Sequence, residues 1–231
     1  GMDSITFGWE LVGDDGFAGT ASRYIIEAVS ARNQAGILYT TTVNNLTVSQ
    51  LPLNFEGSFT VRAVDNVGNE GEISDPIDAE TLKVDIVAEN NADTMEGIIA
   101  DGTWANKEID GRMVITDSPN GLYKRATETI MSLPAFSIET TDVALGFDIK
   151  FDIERKYDNG YLEVSADGAD WVAIQTYTGR MLEWRSQTVG LLNYLPENSS
   201  SLQVRFRLKS DRSVEKDGVY LDNFKVFAPR R

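Results

Sequence analysis

The sequence predicts an all-β chain built of two antiparallel sandwiches, the second a jelly roll. Three observations predict it. Apolar residues recur at every second position in run after run, Gly, Asn and Asp clusters separate those runs, and no stretch shows the three-to-four spacing of an amphipathic helix. At 231 residues and 42% hydrophobic composition, the chain has enough apolar side chain for two cores.

In "SITFGWE", Ile5, Phe7 and Trp9 share one face and Thr6 and Glu10 the other, a one-sided strand. "GDDGFAGTA" reads as a turn-rich loop before a second strand, "SRYIIEAVS". In "GSFTVRAVDNVGNEG", Phe59, Val61 and Ala63 alternate inward before a Gly- and Asn-rich turn. "VALGFDIKFDIE" places Phe147, Ile149, Phe151 and Ile153 inside, with Asp148, Lys150, Asp152 and Glu154 outside. "GYLEVSADGADWVAIQTY" is predicted to be a hairpin turning at Asp167-Gly168. "LQVRFRLKSD" puts Val204, Phe206 and Leu208 in the core and Arg205, Arg207 and Lys209 outside. The pattern changes register across "TLKVDIVAENNADTMEG", so the expected domains are residues 1–82 and 83–231.

Composition removes several function classes. The net charge of -15 argues against nucleic acid and anionic membrane surfaces and makes cations the expected ionic partners. With neither cysteine nor histidine, disulfides, thiol catalysis, Ser-His-Asp arrangements and His- or Cys-ligated metals are all excluded. No apolar run is long enough to span a membrane and no signal peptide is visible. Gly1-Met2 reads as an expression remnant, with the natural protein expected to start further upstream.

Strand parity in "DGVYLDNFKV" puts Asp222 on one face with Tyr220, Phe224 and Val226, an apolar setting in which an unpaired carboxylate costs several kcal/mol. A cation would satisfy it; so would backbone amides, tyrosine hydroxyls, or an Arg or Lys. Asp117 opens "DSPNG", where turn chemistry alone accounts for an aspartate. Glu154 and Asp158 flank "RKY" as a carboxylate pair, which invites a glycosidase reading against the plainer one of a solvated face. "DRSVEKDG" (211–218) reads as a surface hairpin. Trp104, Trp171 and Trp184 raise sugar stacking; Trp104, in the loop "ADGTWAN", is the candidate exposed platform, and Trp171 is expected to pack at the sandwich edge.

Residues 3–82 resemble a bacterial fibronectin type III domain, an immunoglobulin-like sandwich. The resemblance rests on Trp9, the "GDDG…GTASRY" loop leading to Tyr24, Leu51-Pro52, and "VRAVDNVGNEGEIS". Phe59 stands where that family has its corner tyrosine, and the first strand is expected to be missing. "TDSPNGLY", "FDIERKYDNGYLEVSADGADW", "VRFRLKSDRSVEKDG" and "VYLDNFKV" resemble the MAM-like jelly roll found in secreted bacterial peptidases such as immune inhibitor A. This resemblance implies a non-catalytic module of a larger exported protein, extracellular or at the cell surface. Its implied partners are a protein or glycan there and adjacent domains of a longer chain, with a carbohydrate-binding module as the alternative. It also implies a structural calcium ligated by Glu96 in "DTMEG" and Asp222 in "YLDN", with Asp117 a further calcium or loop-anchoring position. Asn223 replaces the second aspartate of the family pattern, and "TME" lacks the aromatic beside the Glu.

Overall fold

The computed structural model describes residues 1–10, 21–30 and 33–231. The "GDDGFAGT" segment lies outside the described residues. The chain divides into two units, Gly1–Val84 with Pro229–Arg231, and Asp85–Ala228. Every regular element among the described residues is a strand, and no helix there is long and apolar enough to cross a membrane.

The first unit runs β1 (Ile5–Gly8), β2 (Arg23–Ser30), β3 (Asn33–Thr41), β4 (Asn45–Val48), β5 (Glu56–Val64) and β6 (Ile77–Glu80). β1 pairs with β4, and the other four form an antiparallel sheet in the order β3-β2-β5-β6. The alternating residues meet between the sheets: Tyr24, Ile26 and Ala28 from β2 pack with Phe59 from β5, Val48 from β4 and Leu51. Trp9 meets Tyr24 edge-on with ring centroids 5.2 Å apart, and Phe7 packs on Phe59 at 4.4 Å. The turn after β5 is built by Asp65, whose carboxylate accepts from the amides of Val67 and Asn69 at 2.9 and 2.8 Å, the side-chain bonding expected of a turn aspartate.

The second unit contains β7 (Val84–Asn90), β8 (Ile99–Ala100), β9 (Ala105–Ile109), β10 (Arg112–Thr116), β11 (Glu128–Ser132), β12 (Phe136–Ser137), β13 (Ala144–Ile153), β14 (Asn159–Ser165), β15 (Val172–Tyr177), β16 (Gly179–Gly190), β17 (Ser201–Lys209) and β18 (Gly218–Pro229). One sheet has the order β16-β13-β18-β10-β9, with β7 also on β18. The other has the order β15-β14-β17-β11-β8, with β12 also on β17. The alternating apolar residues of β13 and β17 join one core, where Phe206 stacks on Tyr177 at 5.8 Å. Each such fully buried Leu or Phe contributes about 1.5–3 kcal/mol. The link between β14 and β15 is longer than a two-residue turn. Gly168 takes φ +80° there, and the Asp167 carboxylate accepts from the amides of Ala169 and Asp170.

Along the β13–β18 pair, Gly146 faces Lys225 but Asp148 faces Asp222, so β18 carries one extra residue. Asn223 absorbs it at φ +52°, a left-handed conformation that asparagine tolerates. Val219 and Leu221 point into the core before the bulge, and Phe224 and Val226 after it. The expectation that Asp222 shares a face with Phe224 and Val226 is thereby corrected, because a one-residue insertion inverts strand parity. Asp222 faces away from the core.

Candidate functional site

Asp222 is only 4% exposed even on this outer face. Arg112, first residue of β10, follows the Asp110-Gly111 turn, whose two positive φ angles suit a tight hairpin. Its Nε donates to Asp222 and its Nη2 to Asp148. The guanidinium lies 4.2 Å from the centre of the Trp184 ring, and Lys150 stands over both Trp184 (5.3 Å) and Tyr220 (4.9 Å). The other Asp222 oxygen accepts from the Asn223 amide at 2.7 Å, and Asn223 Nδ2 donates to Asp148 at 2.8 Å. Burial alone would push the Asp148 carboxyl up; hydrogen bonds from Ser186, Asn223 and Arg112 outweigh that and hold it below the ordinary carboxylate range.

Glu96 sits in the loop between β7 and β8 and is exposed. The Glu96–Asp222 pair does not fit a calcium ion. Both Asp222 oxygens already have donors, and an ion there would meet the Arg112 cation.

The opposite outer face repeats this construction around an acid that sequence reading passed over. Glu163 on β14 is buried between Arg205 and Arg207 of β17, which donate to it at 2.6 Å each. Arg205 lies 4.2 Å from the Trp171 ring and Arg207 4.2 Å from that of Tyr161. Desolvation raises the Glu163 carboxyl, but the two guanidinium groups overcome it and hold it low. The available signal was the alternation of Arg205 and Arg207, which marked the outward face but not what they cover.

Trp104, expected as an exposed platform, is 6% exposed and belongs to the core. Its ring meets Phe206 edge-on at 6.0 Å, and its Nε1 donates to Thr129 at 3.1 Å, so both its apolar body and polar tip are satisfied inside. Trp104→Phe is expected to cost about 1–2 kcal/mol through the lost hydrogen bond and smaller ring, read as a lower urea midpoint.

Asp117 follows the last residue of β10 and is 1% exposed. Its Oδ1 accepts from the Val219 amide at 2.7 Å, while Oδ2 is buried without a hydrogen-bond partner among the described residues. Desolvation, aided by the Asp217 charge, pushes this carboxyl up to about 7 despite the amide bond. Asp117 helps line a cavity of about 260 Å³ together with Thr103, Tyr123, Lys124, Thr127 and Thr129.

Glu154, Asp158 and Asp211 do converge, their ligand oxygens within 4.8 Å of one another. Asp158, expected on a solvated face, is instead fully buried. Its Oδ2 accepts from the Tyr123 hydroxyl at 2.6 Å and its Oδ1 from the Asp211 amide at 2.6 Å. Tyr123 in turn accepts from the Glu154 amide at 3.1 Å. "DRSVEKDG" is thus tied down at Asp211 rather than forming a free hairpin. Beside it runs a groove of about 710 Å³ walled by Asp152, Glu154, Arg155, Arg180, Val214 and Lys216. Tyr157, two residues along from Arg155, is 65% exposed.

No family model matches this chain. A stretch of 123 residues, 52% of the chain, is 27% identical to Bacillopeptidase F of Bacillus subtilis (strain 168), of which it spans 8%. Among solved structures the chain is similar to TmCBM61 in complex with beta-1,4-galactotriose, with 13% identity, a TM-score of 0.41, and 60% of this chain and 99% of that one covered. It is also similar to the K1 cleaved adhesin domain of Lys-gingipain from Porphyromonas gingivalis W83, with 14% identity, a TM-score of 0.41, and 62% and 98% covered. Scores this low attach no ligand or activity to this chain.

Proposed function

We propose that the chain is a non-catalytic binding module of a longer exported bacterial protein, working outside the cell or at its surface beside neighbouring domains. What supports this most is the state of the converging acids. A glycosidase pair needs one carboxyl free to give a proton and another free to receive one or attack. Asp158 has both oxygens committed to the Tyr123 hydroxyl and the Asp211 amide, so it is not free to act as the partner of Glu154. The stretch shared with Bacillopeptidase F, a small fraction of that protein, fits an accessory region carried by a larger polypeptide. A two-strand sheet with a four-strand sheet in the first unit fits a fibronectin type III-like sandwich lacking an edge strand, and the two large sheets of the second fit a MAM-like jelly roll.

Within that reading, exposed Tyr157, two residues along the chain from Arg155 of the polar groove, supports a glycan ligand, since an exposed aromatic face can stack on a sugar ring. The test pairs a glycan array with hydrolysis assays on the same saccharides and on casein. Binding that Tyr157→Ala weakens at least tenfold, with no turnover, is expected. Turnover that disappears in Glu154→Gln would overturn the non-catalytic reading. An array with no signal removes the glycan while leaving a protein partner.

A further inference from the structure

Core packing accounts for Trp104 and the Arg205 contact for Trp171, but Trp184 has no such role. It lies beside an irregularity of the β13–β16 pair. Ile149 pairs with Arg185 but Phe151 with Met181, so β16 carries two extra residues opposite Lys150. Insertions of this kind re-aim side chains, and the half-buried Trp184 ring comes to lie 4.2 Å from Arg112 and 5.3 Å from Lys150.

From Trp184 a row of cations crosses the outer face of the sheet. Lys150 on β13 stands 4.9 Å from the centre of the Tyr220 ring on β18, and Lys107 on β9 stands 6.0 Å from the same centre. Tyr220 and Val114 are buried beneath, Val114 being the register partner of Lys107, so the floor under the two ammonium groups is largely apolar. An aromatic ring attracts a cation over its face and restrains a side chain that would otherwise sample many rotamers. Two like charges drawn to one ring also repel each other, and an anion shared between them relieves that repulsion. The acids of this face are occupied elsewhere: Asp148 and Asp222 bind Arg112, Asp152 pairs with Arg180, and Asp217 engages the Tyr220 hydroxyl. Neither Lys107 nor Lys150 makes an ion pair among the described residues. Along β13 the next outward residue after Lys150 is Asp152, which lines the groove that also holds Arg155 and Lys216.

We propose that this face binds a saccharide bearing negative charge, a carboxylate or a sulfate, with Lys107 and Lys150 as its anion contacts and with Tyr220 and Trp184 as the rings that pre-position the cations. The saccharide is taken from the glycan reading above, on which this rests; the charge is taken from this face. The chain's net charge of -15 does not oppose it, because acids more than a Debye length away, about 8 Å at physiological ionic strength, are largely screened.

The whole chain is titrated calorimetrically with three soluble polymers: neutral dextran, hyaluronan as the carboxylate probe and dextran sulfate as the sulfate probe. One or both charged polymers should bind at least tenfold more tightly than dextran, with an affinity that falls as salt is raised. Lys107→Gln and Lys150→Gln should each weaken binding about threefold and the double variant about tenfold, at an unchanged melting temperature. Lys150→Arg, which keeps the charge, should bind like wild type. Binding of hyaluronan alone supports a carboxylate ligand, and of dextran sulfate alone a sulfate. Dextran binding as tightly as either charged polymer overturns the inference and leaves the glycan reading standing. A loss in Lys209→Gln, on the opposite sheet, equal to that in Lys150→Gln marks diffuse attraction and overturns it as well. Binding of none of the three also overturns it, while signal from neutral sugars on the array still upholds the glycan reading.

Discussion

Replacing Arg112 with methionine is expected to lower the unfolding free energy of the second unit by about 3–5 kcal/mol, the usual cost of removing one partner from a buried ionic group. Methionine keeps most of the aliphatic stem over Trp184, so the loss reports the guanidinium rather than packing. Without it, among the described residues, Asp222 retains the Asn223 amide and Asp148 keeps Ser186 and Asn223. Two carboxylates bound to the same cation would then face each other across β13 and β18. The measurement is a urea midpoint with unchanged slope, in wild type, Arg112→Met, and Arg112→Met with Asp222→Leu. The double variant should regain much of the loss, because replacing a whole buried pair by apolar residues is often close to neutral. A single variant within 1 kcal/mol of wild type would show that Arg112 is a surface ornament and that Asp222 is satisfied some other way.

In metal-free buffer, stability of the same unit should fall by about 4 kcal/mol between pH 4 and pH 8 through Asp117. Its carboxyl is raised to about 7 when folded, while an unfolded aspartate titrates near 3.9. Between those values the folded chain holds a proton that the unfolded chain has released, so rising pH favours unfolding. The contribution is fully present below the unfolded value and gone above the folded one. The groups facing Asp117 are Asp217, Tyr220, Tyr123 and Lys124, and burial pushes both tyrosines above their ordinary range, so neither titrates in this window. Asp148 and Glu163 act oppositely. Their folded values are depressed, so their contribution is present above the unfolded carboxylate range and lost only as pH falls below it. Urea midpoints at half-unit pH steps, with Asp117→Asn alongside, separate the two effects. The variant should flatten the slope between pH 4 and 8 and leave the acid limb intact. An equally steep wild-type and variant slope would assign the proton to another group.

Local pattern carried far in this chain. A period of two in β5, β13 and β17 named the inward residues correctly, since a strand buried on one face must alternate whatever it packs against. The absence of histidine and cysteine by itself limited the chemistry available. The side chains of interest depended on partners far off in the sequence. Parity failed at Asp222 because a bulge is a property of a strand pair, invisible in "DGVYLDNFKV" alone. Arg112 lies 110 residues from Asp222, and nothing in "DGRMVIT" announces which acid it will meet. Trp104 looked exposed in the loop "ADGTWAN", yet Phe206 and Thr129 come from other strands to enclose it. Asp158 looked solvated beside Arg155 and Lys156 until Tyr123 and Asp211 closed over it.

The sequence by itself determined the class of fold, the inward faces of the strands and the exclusion of histidine and thiol chemistry, because these follow from short-range periodicity and composition. Only the tertiary structure decided how each buried acid is satisfied: Asp222 and Glu163 by arginine, Asp158 by a hydroxyl and an amide, and Asp117 by one amide with its second oxygen left over. The physical reason is that desolvation and counter-charge act through space, so the same aspartate is an ion-pair tie or a loop anchor according to which distant strand lies against it.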